Sequence, residues 1–138
     1  LHSMRLEKGY GSWGRDFTAD YNAAEADWGR FVKFDKGDFI GRAAAEKQFK
    51  EPLSRKISLL DVASKEIDVM GAEPIFAGGK AVARVTSGYF GHSTGKQLAL
   101  AYLPVSGDSF EIEVMGKRVT ASRLKEAPFD PSSARLRS

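Results

Sequence analysis

The chain has 138 residues, the size of one ordinary domain with or without a broken-off flank. It is 42% hydrophobic and 28% charged, a soluble globular composition, and no apolar run approaches the roughly 20 residues of a membrane-spanning helix. Cysteine is absent and the net charge is only +3, which excludes disulfides, thiolate nucleophiles and cysteine metal sites, fits a reducing compartment and argues weakly for nucleic acid. Cytoplasm and mitochondrial matrix both suit such a chain, and the cytoplasm is the expectation. The basic residues are interleaved with acids, so most are read as solvated surface. Two or three of them would suffice for a pocket holding a small anion such as a polyglutamate tail.

In chain order, Leu1, Met4 and Leu6 read as the end of a helix with no N-cap ahead of it, stopped by Gly9 as a C-terminal cap. The chain is therefore expected to be cut from something larger. Gly9 to Phe17 follows as a glycine and aromatic loop, and Thr18 to Asp27 as polar loop with one helical turn. Alternation over Trp28 to Phe34 predicts a strand, with Arg30, Val32 and Phe34 on one side. Asp35 to Asp38 is a turn, and Asp38 is placed to cap a helix over 42–50 that ends before Pro52.

From Leu53 the period becomes two. A strand is predicted over 55–62 with Ile57, Leu59 and Asp61 sharing a face, then strands over 74–77 and 81–87 joined by Gly78-Gly79, a pair suited to a tight hairpin. Residues 98–103 form a strand ended by Pro104. Phe110, Ile112 and Val114 alternate with Glu111 and Glu113, and Gly116-Lys117 suits a II′ turn into a last strand over 118–124. The fold class predicted is mainly β: a small antiparallel, Greek-key-like barrel preceded by a short helix-and-loop remnant. The boundary falls within 51–54, giving residues 1–52 and 53–138.

Gly9-Tyr-Gly11-Ser-Trp-Gly14 matches G-x-G-x-x-G by letter, but that fingerprint needs a strand before it and a helix N-terminus after it. Neither is predicted, so the glycines read as backbone freedom, with Tyr10 and Trp13 as flat surfaces for packing or for stacking a heterocycle. Gly91 to Gln97 lacks the spacing and the hydroxyl of a phosphate loop and reads as a connection between strands. His92 has no triad logic around it, and one histidine with scattered carboxylates is a poor metal site. Glu7, Asp16, Glu25 and Asp27 near the glycine loop could act as acids or bases, or pair with Arg5 or Arg15. Arg5 and Glu7, two apart on a helix, must serve different neighbours.

Two blocks carry a resemblance. Met4-Arg-Leu-Glu-Lys-Gly-Tyr to Trp13-Gly-Arg-Asp with Asp35-Lys-Gly-Asp-Phe-Ile-Gly-Arg42, and Gly71-Ala-Glu-Pro-Ile75 to Gly79-Lys-Ala-Val-Ala-Arg-Val-Thr-Ser-Gly88 with Leu98-Ala-Leu-Ala-Tyr-Leu-Pro104, together resemble the C-terminal part of the glycine-cleavage T-protein (aminomethyltransferase) family. The version fused to dimethylglycine and sarcosine dehydrogenases is most similar. The resemblance implies that 1–52 is the tail of a folate-binding domain and 53–138 the family's C-terminal barrel. It implies tetrahydrofolate-dependent one-carbon transfer by the parent, in which folate N5 captures a methylene unit from an aminomethyl or iminium substrate.

The catalytic aspartate and the pterin-binding glutamate of the family lie upstream, so no catalytic residue is assigned and the fragment is expected to be inactive alone. Arg5, Glu7, Tyr10, Trp13 and Tyr89, with the adjoining Phe90, are candidates for walls of the folate cavity. FAD is implied only in an absent N-terminal flavin domain, and the expected partners are folate, a small methylated amine and the upstream domains, with neither membrane nor nucleic acid. Leu1 stands where T-proteins carry a substrate-holding arginine, and Arg30 where relatives often have an aromatic. Rival readings are a folate-dependent demethylase of another methyl donor, sulfonium compounds included, and a non-catalytic barrel binding a protein or RNA.

Overall fold

The computed structural model describes residues 1–64 and 66–137. Helix α1 spans His2–Glu7 and has no side-chain N-cap. It ends in a Schellman arrangement: the Gly9 amide donates to the Leu6 carbonyl at 2.9 Å and the Tyr10 amide to the Arg5 carbonyl at 2.8 Å. This requires Gly9 at φ +68°, as its predicted capping role demands. Leu1 and Met4 are exposed while Leu6 is fully buried.

Beyond the loop of 9–17 and a run of turns, the strand predicted over Trp28 to Phe34 does not form. Single 3-10 turns at Gly29–Phe31 and Phe34–Lys36 replace it. A strand needs an edge to pair with, and the closed barrel that follows offers none. The aromatic spacing instead packs Phe34 against Phe39 and Phe49, with ring centroids 6.4 and 5.8 Å away. Helix α2, Arg42–Lys50, lies where predicted, but its N-cap is Gly41 at φ +86° with no side-chain cap, so Asp38 does not cap it. The Arg42 guanidinium bonds the Gly37 carbonyl and pairs with Glu46 at 2.9 Å.

Six strands follow among the described residues: β1 Arg55–Val62, β2 Pro74–Ala77, β3 Lys80–Gly91, β4 Lys96–Pro104, β5 Ser109–Val114 and β6 Lys117–Arg123. All pairs are antiparallel, and the sheet closes in the order β1-β4-β3-β2-β5-β6, with β6 returning to β1 through Leu60↔Arg123 and Val62↔Ala121. Strand β1 lies beside β4 while β2, β3 and β4 run as consecutive hairpins, which is the Greek-key signature. Gly78 and Gly79 turn β2 into β3 at φ +56° and +79°. The β5–β6 turn sits one residue earlier than predicted: Met115 and Gly116, at φ +50° and +77°, occupy its centre, and Lys117 pairs with Val114. Two positive φ angles match a I′ pattern rather than II′.

The barrel interior holds Leu60, Val62, Ile75, Val85, Ala99, Ala101, Leu103, Phe110, Ile112, Val114 and Ala121. On β1 the inward residues are thus Leu60 and Val62, whereas Ile57 and Leu59 share the outward face. Leu59 joins Leu6, Leu98 and Leu100 in a second apolar cluster, because α1 lies across the outside of β3 and β4. An outer face covered in this way makes both sides of a strand apolar and hides its alternation.

Candidate functional site

Asp16 organises the loop that follows α1. It is fully enclosed. Its Oδ2 accepts from Arg5 Nη1 at 2.9 Å, the Ser12 amide at 2.8 Å and Ser87 Oγ at 3.0 Å, and its Oδ1 accepts from Thr86 Oγ1 at 2.5 Å. Arg5 also donates to the Tyr10 carbonyl at 3.0 Å and to Ser87 Oγ at 2.8 Å. The Asp16 carbonyl accepts from the Tyr102 hydroxyl at 2.9 Å. A charge so placed is tolerable only because its lone pairs are filled. Burial, followed by neighbouring Tyr21, Asp16 and Glu25, pushes the Tyr102 hydroxyl pKa upward. Its ring stacks on Tyr21 with centroids 3.4 Å apart.

Glu7 is buried, and its Oε1 accepts the Thr94 amide at 2.8 Å. Arg5 and Glu7 therefore serve different neighbours, as their spacing required. Both are engaged by the barrel: Arg5 through β3 and Glu7 through the β3–β4 turn.

A cleft of about 1180 Å³ opens between the Lys8 to Gly11 segment, the turns at 26–31, strand β1 and the chain after β6. Tyr10, Phe17, Trp28 and Phe31 give it flat walls, and Lys56 and Arg123 give it positive charge. Lys56 pairs with Asp27 at 2.8 Å. Arg123 donates to Ser58 Oγ at 2.8 Å and to the Pro104 carbonyl, while its buried Nε has no hydrogen-bond partner among the described residues and lies 3.5 Å from Asp108 Oδ1. Lys8 anchors the C-terminal tail, with Nζ bonded to Asp130 Oδ2 at 3.1 Å and Ser133 Oγ at 3.1 Å. Burial alone would raise the Asp130 carboxyl pKa, but the Lys8 bond and charge together with the Ala134 amide hold it below the ordinary range.

Of the five residues singled out in the sequence, Tyr10 lines this cleft. Trp13 is 79% exposed beyond its lining. Tyr89 stacks on His2 at 5.2 Å and accepts from Arg15 Nη1 at 3.0 Å, also away from the cleft. Arg5 and Glu7 sit behind the loop. Sequence reading missed Thr86, Ser87 and Tyr102, which approach Asp16 across 70 to 86 residues of chain, and it missed Trp28, Phe31 and Arg123 as cleft walls. The hydroxyl pair Thr86-Ser87 was the available signal, because polar side chains inside an otherwise apolar strand need buried partners.

The glycine fingerprint is entered from α1 and left through turns, so it has no nucleotide geometry. A Cβ on Gly11 would come within 2.4 Å of the Phe17 ring, which explains that glycine by packing. Among the described residues no group of His, Cys, Asp or Glu could hold a metal. Nor is any helix long and apolar enough to cross a membrane.

A closed Greek-key barrel with a helix and glycine loop clamped to its flank by one enclosed aspartate defines a small barrel module. Residues 55–130 match the glycine cleavage T-protein C-terminal barrel domain, and the chain belongs to that family. It is 38% identical to mouse dimethylglycine dehydrogenase, mitochondrial, over 99% of this chain and 16% of the relative. Against the aminomethyltransferase of Koribacter versatilis it is 34% identical, over 87% of this chain and 33% of the relative. The crystal structure of glycine cleavage system aminomethyltransferase T from Bartonella henselae superposes with a TM-score of 0.85 at 25% identity, covering 94% of this chain and 38% of that one. The chain spans about a third or less of these curated relatives.

Proposed function

We propose that the chain is part of a tetrahydrofolate-dependent one-carbon transferase attached to an enzyme that oxidises an N-methylated amine of the dimethylglycine or sarcosine type. Residues 1–52 end the folate-binding domain in this reading, and residues 53–138 are the barrel that buttresses it. The observation that carries it is the aromatic and basic cleft, joined to a likeness that runs through both segments to the mouse dehydrogenase.

Tetrahydrofolate fits the chemistry of that cleft: the rings of Tyr10, Trp28 and Phe31 suit a flat pterin, and the Arg123 guanidinium and the Lys56 ammonium in its wall suit a carboxylate. Bound folate would supply an N5 that accepts the methylene unit. In this reading Tyr10 forms a wall and Trp13, exposed beside the cleft, meets the ligand from outside it, while Arg5 and Glu7 are positioning residues that hold the loop against β3 and the β3–β4 turn. Tyr89 steadies Arg15 within that loop. No dinucleotide geometry exists at Gly9 to Gly14, so FAD does not fit the described residues and belongs to a separate flavin domain. The reactive carboxylate likewise belongs upstream. The setting is a reducing one, cytoplasm or matrix.

Titration of tetrahydrofolate into the chain, followed by tryptophan emission, tests the reading. Saturable quenching that weakens in Tyr10→Ala supports it; a linear, non-saturating response overturns the cleft as a folate wall.

A further inference from the structure

A second, smaller cleft of about 350 Å³ lies on another face, between Arg15 of the glycine loop, the segment 70–72, and Arg84 to Thr86 of β3. Its two arginines have no carboxylate in ion-pair contact among the described residues. Arg5, Arg42, Arg55, Arg118 and Arg123 each have a carboxylate within ion-pair distance. Arg15 donates only to the neutral Tyr89 hydroxyl, at 3.0 Å, and Arg84 has no polar partner among the described residues.

The nearby acids are already committed. Asp16 is filled by Arg5 and its other donors, and it takes the Thr86 hydroxyl at the cleft wall. Glu73 accepts the Met70 amide at 2.9 Å and the Gly71 amide at 2.7 Å. Two guanidiniums facing one concavity with no carboxylate in ion-pair contact repel each other, and an oxyanion between them converts that repulsion into charge-assisted hydrogen bonds. The opposite wall is rigid and curved: Ala72 is held at φ +74°, with its amide donating to the Val85 carbonyl at 2.8 Å and the Val85 amide to the Glu73 carbonyl at 2.9 Å. A non-glycine residue fixed in the left-handed region is a conformation the surroundings must enforce.

We propose that the cleft between Arg15 and Arg84 is an oxyanion-binding site for the phosphate or carboxylate of an anionic small molecule. The planar guanidinium fork matches either group, which a lysine ammonium does not do bidentately. This site is separate from the aromatic cleft, so it stands or falls independently of the folate reading.

Calorimetric titration of the intact chain at low ionic strength with inorganic phosphate, and separately with glutarate, tests it. Saturable binding of either probe is expected, weakened about tenfold or more in Arg84→Ala and to a lesser extent in Arg84→Lys. Arg137→Ala, which lowers net charge equally at an exposed site outside the cleft, should leave binding unchanged. Preference for phosphate identifies a phosphorylated ligand and preference for glutarate a carboxylated one. Both arginines are exposed, so these variants should fold, which their thermal unfolding will verify. Binding of neither probe, or equal weakening in Arg84→Ala and Arg137→Ala, overturns the proposal.

Discussion

Arg5 on α1 and Asp16 in the loop beyond it meet at 2.9 Å, with their side chains only 10% and 0% exposed. Ser87 of β3 bonds both. This contact decides how the segment before the barrel is held, because it joins the helix, the glycine loop and the sheet through one buried charge pair. Removing one member leaves the other charged, enclosed and unpaired, a cost of about 3–5 kcal/mol. Asp16→Ala is therefore expected to lower stability by that amount in urea unfolding. A loss below about 1 kcal/mol would mean that the loop detaches without disturbing the barrel.

Gly88 lies inside β3, where a Cβ would stand 2.3 Å from the Val69 carbonyl oxygen and 2.6 Å from its carbon. These are backbone atoms and cannot rotate away. Gly88→Ala should cost at least about 1–3 kcal/mol through overpacking. Gly79→Ala, with open space around it but φ +79°, should cost only about 1–2 kcal/mol through left-handed strain. Comparing the two denaturation midpoints separates close approach from backbone conformation.

Trp13, at 79% exposed, is expected to contribute less than about 0.5 kcal/mol to stability. Trp13→Ala should therefore unfold at the wild-type midpoint. Lower tetrahydrofolate affinity in the same variant would place the indole at the ligand; unchanged affinity would leave it outside the site.

Asp130 ties the tail to Lys8, and its carboxyl pKa is depressed in the folded chain. Glu25 behaves similarly: its partial burial acts to raise the pKa, but Arg55 and the Asn22 amide outweigh this. A depressed folded value stabilises the native state above the ordinary carboxylate pKa, and that contribution is lost as pH falls through the folded value. The stability gap between wild type and Asp130→Asn should thus be widest near neutrality and close as pH falls below the ordinary carboxylate range. A gap independent of pH would show that the ion pair contributes nothing to it.

Much of the barrel was legible because its strands carry their own evidence. Phe110, Ile112 and Val114 alternate with acids, and all three point inward. Gly78-Gly79 supplies positive φ where the hairpin turns. The strand predicted at Trp28 to Phe34 shows the limit: alternation is a local property, whereas a strand exists only if an edge receives it. On β1 the pattern grouped Ile57 with Leu59 but did not say which face is the core, since α1 covers the outside of the barrel and Leu59 and Leu60 are both buried. Placement of the β5–β6 turn depended on register, because one residue of slip would have turned Ile112 and Val114 outward.

By itself the sequence determined the elements whose signals are carried by neighbouring residues: the cap at Gly9, the helix over 42–50, the hairpin glycines and the inward alternation of β5. Tertiary structure alone decided that Arg5 and Glu7 turn into the barrel, that Asp16 is enclosed by Thr86, Ser87 and Tyr102, and that Tyr10 shares a cleft with Trp28 and Arg123. The physical reason is range. Backbone preference and periodicity act over a few residues, while charge pairing and enclosure depend on groups that the chain brings together only when the barrel closes.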